Sequence, residues 1–133
     1  MKKTNAIKVL ALMLAVSLLL LAGCSAKGMS LTVRITGPDS NVLFDQAVTV
    51  TTKQPTAMDA TSAAIKQGGL KIEESDGFVS AISDIQSTQT DGWLLYINGE
   101  IASVGAKEQA VAEGDTVEWR YVNYDEVFGQ TAG

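Results

Sequence analysis

From about residue 30 the chain reads mostly in period two. Leu31, Val33 and Ile35 alternate with Thr32, Arg34 and Thr36, the pattern of a strand with one face in the core and one in solvent. Gly37-Pro38-Asp39-Ser40-Asn41 is dense in turn formers. Val42, Phe44, Val48 and Val50 then resume in phase, so the spacing predicts a second strand over 42–51, joined to the first as a hairpin. At Pro55 the period changes. Thr56 can act as a helix N-cap, with Asp59 three residues on in the capping-box position. Ala57, Met58, Thr61, Ala64 and Ile65 follow on one face at helical spacing, with Thr61 the one polar member. Gly68-Gly69 stops this helix over 57–67. So short a helix is marginal alone and needs tertiary support.

The second half returns to strands. Residues 70–74 form a short strand and Ser75-Asp76-Gly77 a turn. A loosely patterned strand covers 78–85 and a polar loop 86–91. Gly92-Trp93-Leu94-Leu95-Tyr96-Ile97-Asn98 is the strongest strand, apolar on both faces, and is expected to be central. Asn98-Gly99 signals a hairpin, with a return strand over 101–104. After Glu113-Gly114-Asp115, the strand 116–122 sets Val117, Trp119 and Tyr121 inward and Thr116, Glu118 and Arg120 outward. Residues 125–133 read as a frayed tail. This order predicts an α+β fold, with one helix packed across a mixed, mostly antiparallel sheet.

The first residues follow another rule. Lys2, Lys3 and Lys8 precede an apolar run from Val9 to Ala22 that only Ser17 interrupts. It has the length of a signal-peptide core and falls short of the roughly 20 apolar residues of a membrane span. It ends in Leu21-Ala22-Gly23-Cys24, which resembles a bacterial lipobox. The expected organisation is a lipoprotein signal peptide at 1–23, a lipidated Cys24 and tether at 24–29, a domain at 30–124 and a tail at 125–133. The domain would sit outside the cytoplasm, held at the bacterial cell membrane by acyl chains on Cys24.

Composition narrows the chemistry. Losing residues 1–23 would leave 110 of the 133 residues and remove three lysines and no acid, so the net charge moves from −5 to −8. Such a balance excludes a nucleic-acid surface and lacks a basic patch for anionic lipid. The chain has no histidine, which removes Ser–His triads and His-based zinc sites. One cysteine excludes an internal disulfide. Glu73, Glu74 and Asp76 lack the alternating spacing of a calcium loop and read as a solvated turn. Nothing fixes Asp84 near Asp91 as an acid–base pair. Gly68-Gly69 lacks the Lys-Ser/Thr of a phosphate loop. No enzyme, metal site or covalently bound cofactor is expected.

The aromatics carry the positive signal, because flat rings give contact area at low entropy cost. Trp119 and Tyr121 share the inward phase of Val117 and belong to the core. Trp93, at a strand start beside a polar loop, and Tyr96, on the opposite face, are candidate ligand contacts. Asn98 and Gly99 at the hairpin tip join them as candidate binding residues.

Asp91-Gly92-Trp93-Leu94-Leu95-Tyr96-Ile97-Asn98-Gly99-Glu100, then Val104-Gly105, then Glu113-Gly114-Asp115-Thr116-Val117-Glu118-Trp119-Arg120-Tyr121 resembles the DUF4430 family. These are bacterial relatives of the C-terminal domain of transcobalamin and intrinsic factor. The helix at Thr56-Ala57-Met58-Asp59-Ala60 and its stop at Gly68-Gly69-Leu70 fit the same pattern. The resemblance implies a β-grasp-like fold and a small-ligand-binding role, with cobalamin or a related corrinoid as ligand. In the animal proteins this domain closes over one face of cobalamin and a helical domain supplies the other. A second surface protein completing the site would be the counterpart here. Gln109 stands where related domains often carry an aromatic residue, so no corrin contact is carried to that position. The alternative is an extracellular module that contacts a protein or polymer through a sheet edge, with no small ligand. The two differ in whether Trp93 and Tyr96 line a concavity.

Overall fold

The computed structural model describes residues 28–129. The expected signal peptide, the lipidation at Cys24 and most of the tether lie outside the described residues. The elements are β1 (Met29–Thr36), β2 (Val42–Val50), α1 (Ala57–Gly68), β3 (Ile72–Ser75), β4 (Phe78–Ile82), β5 (Ile85–Gln86), β6 (Asp91–Ile97), β7 (Glu100–Ile101), β8 (Thr116–Asn123) and α2 (Tyr124–Phe128). Five strands form one sheet in the order β2-β1-β8-β6-β7, and β3-β4-β5 form a second, smaller one. Only β1 and β8 pair in parallel, so the mixed, mostly antiparallel α+β architecture is as the pattern predicts.

Alternation decides what α1 covers. Leu31, Val33, Ile35, Val117 and Trp119 are buried on the face that α1 crosses, against Ala57, Ala60 and Ala64. Small alanines let the helix lie close to the strands, and the bulk comes from the sheet. The capping box forms: Asp59 N–H donates to Thr56 Oγ1 at 3.3 Å, and Thr56 N–H donates to Asp59 Oδ2 at 2.8 Å. Gly69, in the left-handed region at φ 64°, ends the helix. Leu70 N–H donates to Ile65 O as part of this cap, which is why β3 starts at Ile72 and not at 70.

The polar Thr61 on the helix's buried face has a partner. Trp119 Nε1 donates to Thr61 Oγ1 at 2.8 Å, and Thr61 Oγ1 donates to Ala57 O at 2.7 Å. The hydroxyl thus links the indole of β8 to the helix backbone, in the dry core.

Four expectations are corrected. The strand expected over 78–85 breaks at Ser83 and Asp84, both at positive φ, and is a hairpin of β4 and β5. The return strand expected over 101–104 is only β7, two residues long. The chain then leaves the sheet because residues 106–111 serve the helix: Ala57 N–H donates to Gln109 O at 2.8 Å and Met58 N–H to Ala106 O at 3.0 Å. These carbonyls satisfy first-turn N–H groups that have no partner within a helix. With β7 so short, β6 is not the central strand; β8 is. The tail expected from 125 begins instead in α2, with Asn123 Oδ1 accepting from Glu126 N–H at 3.1 Å. Among the described residues no helix is long and apolar enough to cross a membrane.

Thr61→Val keeps the shape and removes the acceptor for Trp119. It should lower the unfolding free energy by about 1–3 kcal/mol, read from urea midpoints at constant m. Thr61→Ser, which keeps the hydroxyl, should cost less.

Candidate functional site

A cleft of about 710 Å³ opens where the small sheet, the edge of β6 and the loop after β7 meet. Trp93, Leu95 and Trp119 line its inner side, and Phe78, Val79 and Val104 its mouth and walls. Ser80, Ser87, Ser103 and Glu108 add polar groups. Its size lies within the roughly 300–1,000 Å³ of small-molecule sites, and mostly apolar walls with a few polar groups are typical of them.

Two aromatic side chains hold the walls apart. Trp93 Nε1 donates to Ile85 O at 2.8 Å, and Tyr121 O–H donates to Gln86 O at 2.8 Å. Both acceptors belong to β5, so this strand is tied to the main sheet through β6 and β8. The two rings meet edge to face, with centroids 5.2 Å apart at 72°, a favourable arrangement for aromatic quadrupoles. Burial, and then the charge of Asp91, raise the Tyr121 hydroxyl above its ordinary value of 10.0. Gly92 permits a close approach on the other side of β6, since a Cβ there would run into the Tyr124 hydroxyl. Tyr124 thereby reaches the cleft from α2.

The four residues picked from the sequence fall in three places. Trp93 lines the cleft, though with only 6% of its surface exposed it is part of the wall. Tyr96 lies on the opposite face of the sheet, also 6% exposed. The Arg120 guanidinium sits over its ring at 3.9 Å from the centroid and donates to the buried Glu118 carboxylate at 2.8 Å. The Glu118 hydrogen bond, opposed by burial, raises the Arg120 pKa. This stack covers Tyr96 away from the cleft. Asn98 and Gly99, at φ 51° and 85°, form the hairpin turn whose type needs two positive φ values. Asn98 Nδ2 donates to Asp115 Oδ1 at 2.9 Å, and Thr116 N–H donates to Asn98 Oδ1 at 2.8 Å. The Asn98 amide therefore staples the hairpin to the start of β8.

Sequence reading missed Phe78, Val104 and Tyr124. Phe78 is 71% exposed and Val104 43%, a pair of large apolar side chains left in solvent at the cleft. The available signal was Phe78 directly after the Asp76-Gly77 turn, where a large ring has no inward phase to follow. The acidic turn has structural partners: Gly77 N–H donates to Glu74 Oε2 at 3.0 Å, and Lys107 Nζ lies 3.7 Å from Glu74 Oε1. Among the described residues no group of three or more His, Cys, Asp or Glu could hold a metal ion.

A helix crosses a mixed sheet, and the cleft lies beside the edge of β6. The sequence matches the family "Domain of unknown function (DUF4430)" over residues 55–123, just over half the chain, and the protein belongs to that family. Among solved structures, haptocorrin in complex with Cbi superposes with a TM-score of 0.57 at 21% identity, over 71% of this chain. The match covers 25% of haptocorrin, so this chain spans about a quarter of that protein's length. A protein from Ruminococcus gnavus ATCC 29149, described as a "putative metal binding protein", superposes with a TM-score of 0.52 at 13% identity, over 71% of this chain and 97% of its own. Both likenesses establish the shared fold. No curated protein matches the chain.

The raised Tyr121 hydroxyl sets an alkaline limit. The fold favours its neutral form, so that stabilisation is complete below pH 10.0 and is lost as pH rises through the higher folded value. Tyr121→Phe should flatten the fall of the thermal midpoint above that pH. At neutral pH it should cost no more than about 1 kcal/mol, for the bond to Gln86.

Proposed function

We propose that this chain is a cell-surface, lipid-anchored small-ligand-binding module whose ligand is a corrinoid, seated in the Trp93 cleft. The observation that carries the reading is the cleft itself: about 710 Å³, floored by two tryptophans and flanked by an exposed Phe78. The structural likeness to haptocorrin in complex with Cbi supports the ligand class. An open cleft lets a flat macrocycle lay one face on the apolar wall and leaves its other face for a second surface protein to cover. Cys24, at the end of the apolar leader, supplies the anchor. The role is binding, without catalysis and without a covalently held cofactor, in keeping with a chain that has no histidine.

Two measurements test this. The chain from Ser25 on keeps every described element and the whole core. Titrated with cobalamin and with base-free corrinoid, it should give tryptophan quenching and calorimetric heat at micromolar ligand. Phe78→Ala, a change at an exposed site, should weaken binding about tenfold or more, the effect of losing a ring contact of roughly 1.5–3 kcal/mol. No signal from either ligand up to high micromolar concentration, with the domain folded, overturns the corrinoid reading. In the full chain, Cys24→Ala should move the protein from the membrane fraction to the soluble one.

A further inference from the structure

The edge of β6 holds a short gap in its hydrogen bonding, and the gap opens on the cleft. Residues along a strand turn their main-chain groups alternately to its two sides. Asn98 N–H donating to Thr116 O at 2.9 Å fixes the phase, so Gly92, Leu94 and Tyr96 bond to β8 and Asp91, Trp93, Leu95 and Ile97 face away from it. Both ends of that outer edge are occupied. Ile97 pairs with Glu100 in β7, and Leu95 O accepts from Ala102 N–H at 3.0 Å. At the other end, Asp91 O accepts from Thr88 N–H at 2.7 Å, and Asp91 N–H donates to Thr88 Oγ1 at 3.0 Å. Between them, no group among the described residues pairs with the N–H or C=O of Trp93 or the N–H of Leu95. Trp93, Leu94 and Leu95 all line the cleft. Main-chain polar groups set in an apolar wall are nearly always paired, so this gap marks where a ligand's own polar group belongs.

We propose that this gap orients the ligand by binding a primary carboxamide. Its oxygen accepts from the Trp93 N–H and its amino group donates to the Trp93 C=O, while the attached planar apolar body lies against the tryptophan wall. The inference rests on the small-ligand reading of the cleft and adds the functional group that the site selects. The chemistry excludes the alternatives. A carboxylate would set its charge against the Trp93 C=O, in a cleft that Glu108 also lines. An ammonium would leave the N–H unpaired. An extended peptide adding a strand needs consecutive open positions, and Thr88 and Ala102 close the edge on either side of Trp93.

The test uses three probes with one aromatic body: naphthalene carboxamide, its N,N-dimethyl counterpart and naphthoate. They are titrated into the chain from Ser25 on and followed by residue-resolved amide NMR. In the free protein the Trp93 N–H should exchange with solvent faster than those of Leu94 and Tyr96, which bond to β8. The carboxamide should shift the Trp93 N–H downfield and slow its exchange about tenfold. It should bind about tenfold more tightly than the other two, the effect of one or two hydrogen bonds. Equal binding of the dimethyl amide, with cleft resonances moving, overturns the carboxamide assignment and leaves the small-ligand reading standing. A Trp93 N–H as protected in the free chain as that of Leu94 also overturns it. If none of the probes moves a cleft resonance, the carboxamide assignment falls, and the corrinoid titration decides the small-ligand reading separately.

Discussion

The hydrogen bond from the Trp119 indole to the Thr61 hydroxyl sets the relation on which the other parts depend. It joins the central strand to α1, the helix that crosses the main sheet, inside a core of alanines and branched aliphatics that any sliding of the helix would also satisfy. Hydrophobic burial is non-directional and cannot by itself fix where α1 lies along β8. The indole N–H and the hydroxyl can, because either one left unpaired in the dry interior is costly. Once α1 is placed, its first-turn N–H groups draw the 106–111 segment toward them, and that draw shortens β7 and opens the edge of β6. The cleft is therefore a downstream result of helix placement.

The aromatic residues divide their work in a way that composition alone does not show. Trp93 and Tyr121 bond outward to the backbone of β5 and act as struts between the two sheets. Tyr96 is held by a cation above its ring and a buried carboxylate beyond it, which stiffens the far face. Phe78 stands in solvent at the cleft, beside the exposed Val104. Together the two side chains leave apolar surface at the rim of a pocket, the kind of surface that marks contact with something else.

How much of this was legible in the chain follows from the range of each interaction. The capping box at Thr56 and Asp59, the turn at Asn98-Gly99 and the alternation in β1 and β8 are local, and their residues stand within a few positions of one another. They appear as the pattern predicts. Ser83 and Asp84 adopt positive φ without glycine, so the break between β4 and β5 left no mark. The length of β7 depends on carbonyls of Ala106 and Gln109 meeting a helix some fifty positions earlier, a contact that no periodicity encodes. The candidate residues split for the same reason. Trp93 and Tyr96 are neighbours in sequence, yet a step of three along a strand places them on opposite faces, and only one face borders the small sheet.

The parallel pairing of β1 with β8 has a geometric result. Thr32 lies beside Thr116, at the start of β8, so the chain enters the domain at that end of the sheet. Trp93 lies beside Tyr121, five residues farther along, roughly 16 Å at the rise of an extended strand. A tether leading back from Met29 to a membrane would thus leave from one pole of the domain, while Trp93 stands toward the other. In that attitude the Asn98-Gly99 turn, fastened to the start of β8, would stand at the tethered pole, and the turn between β1 and β2 would stand with Trp93 at the far one.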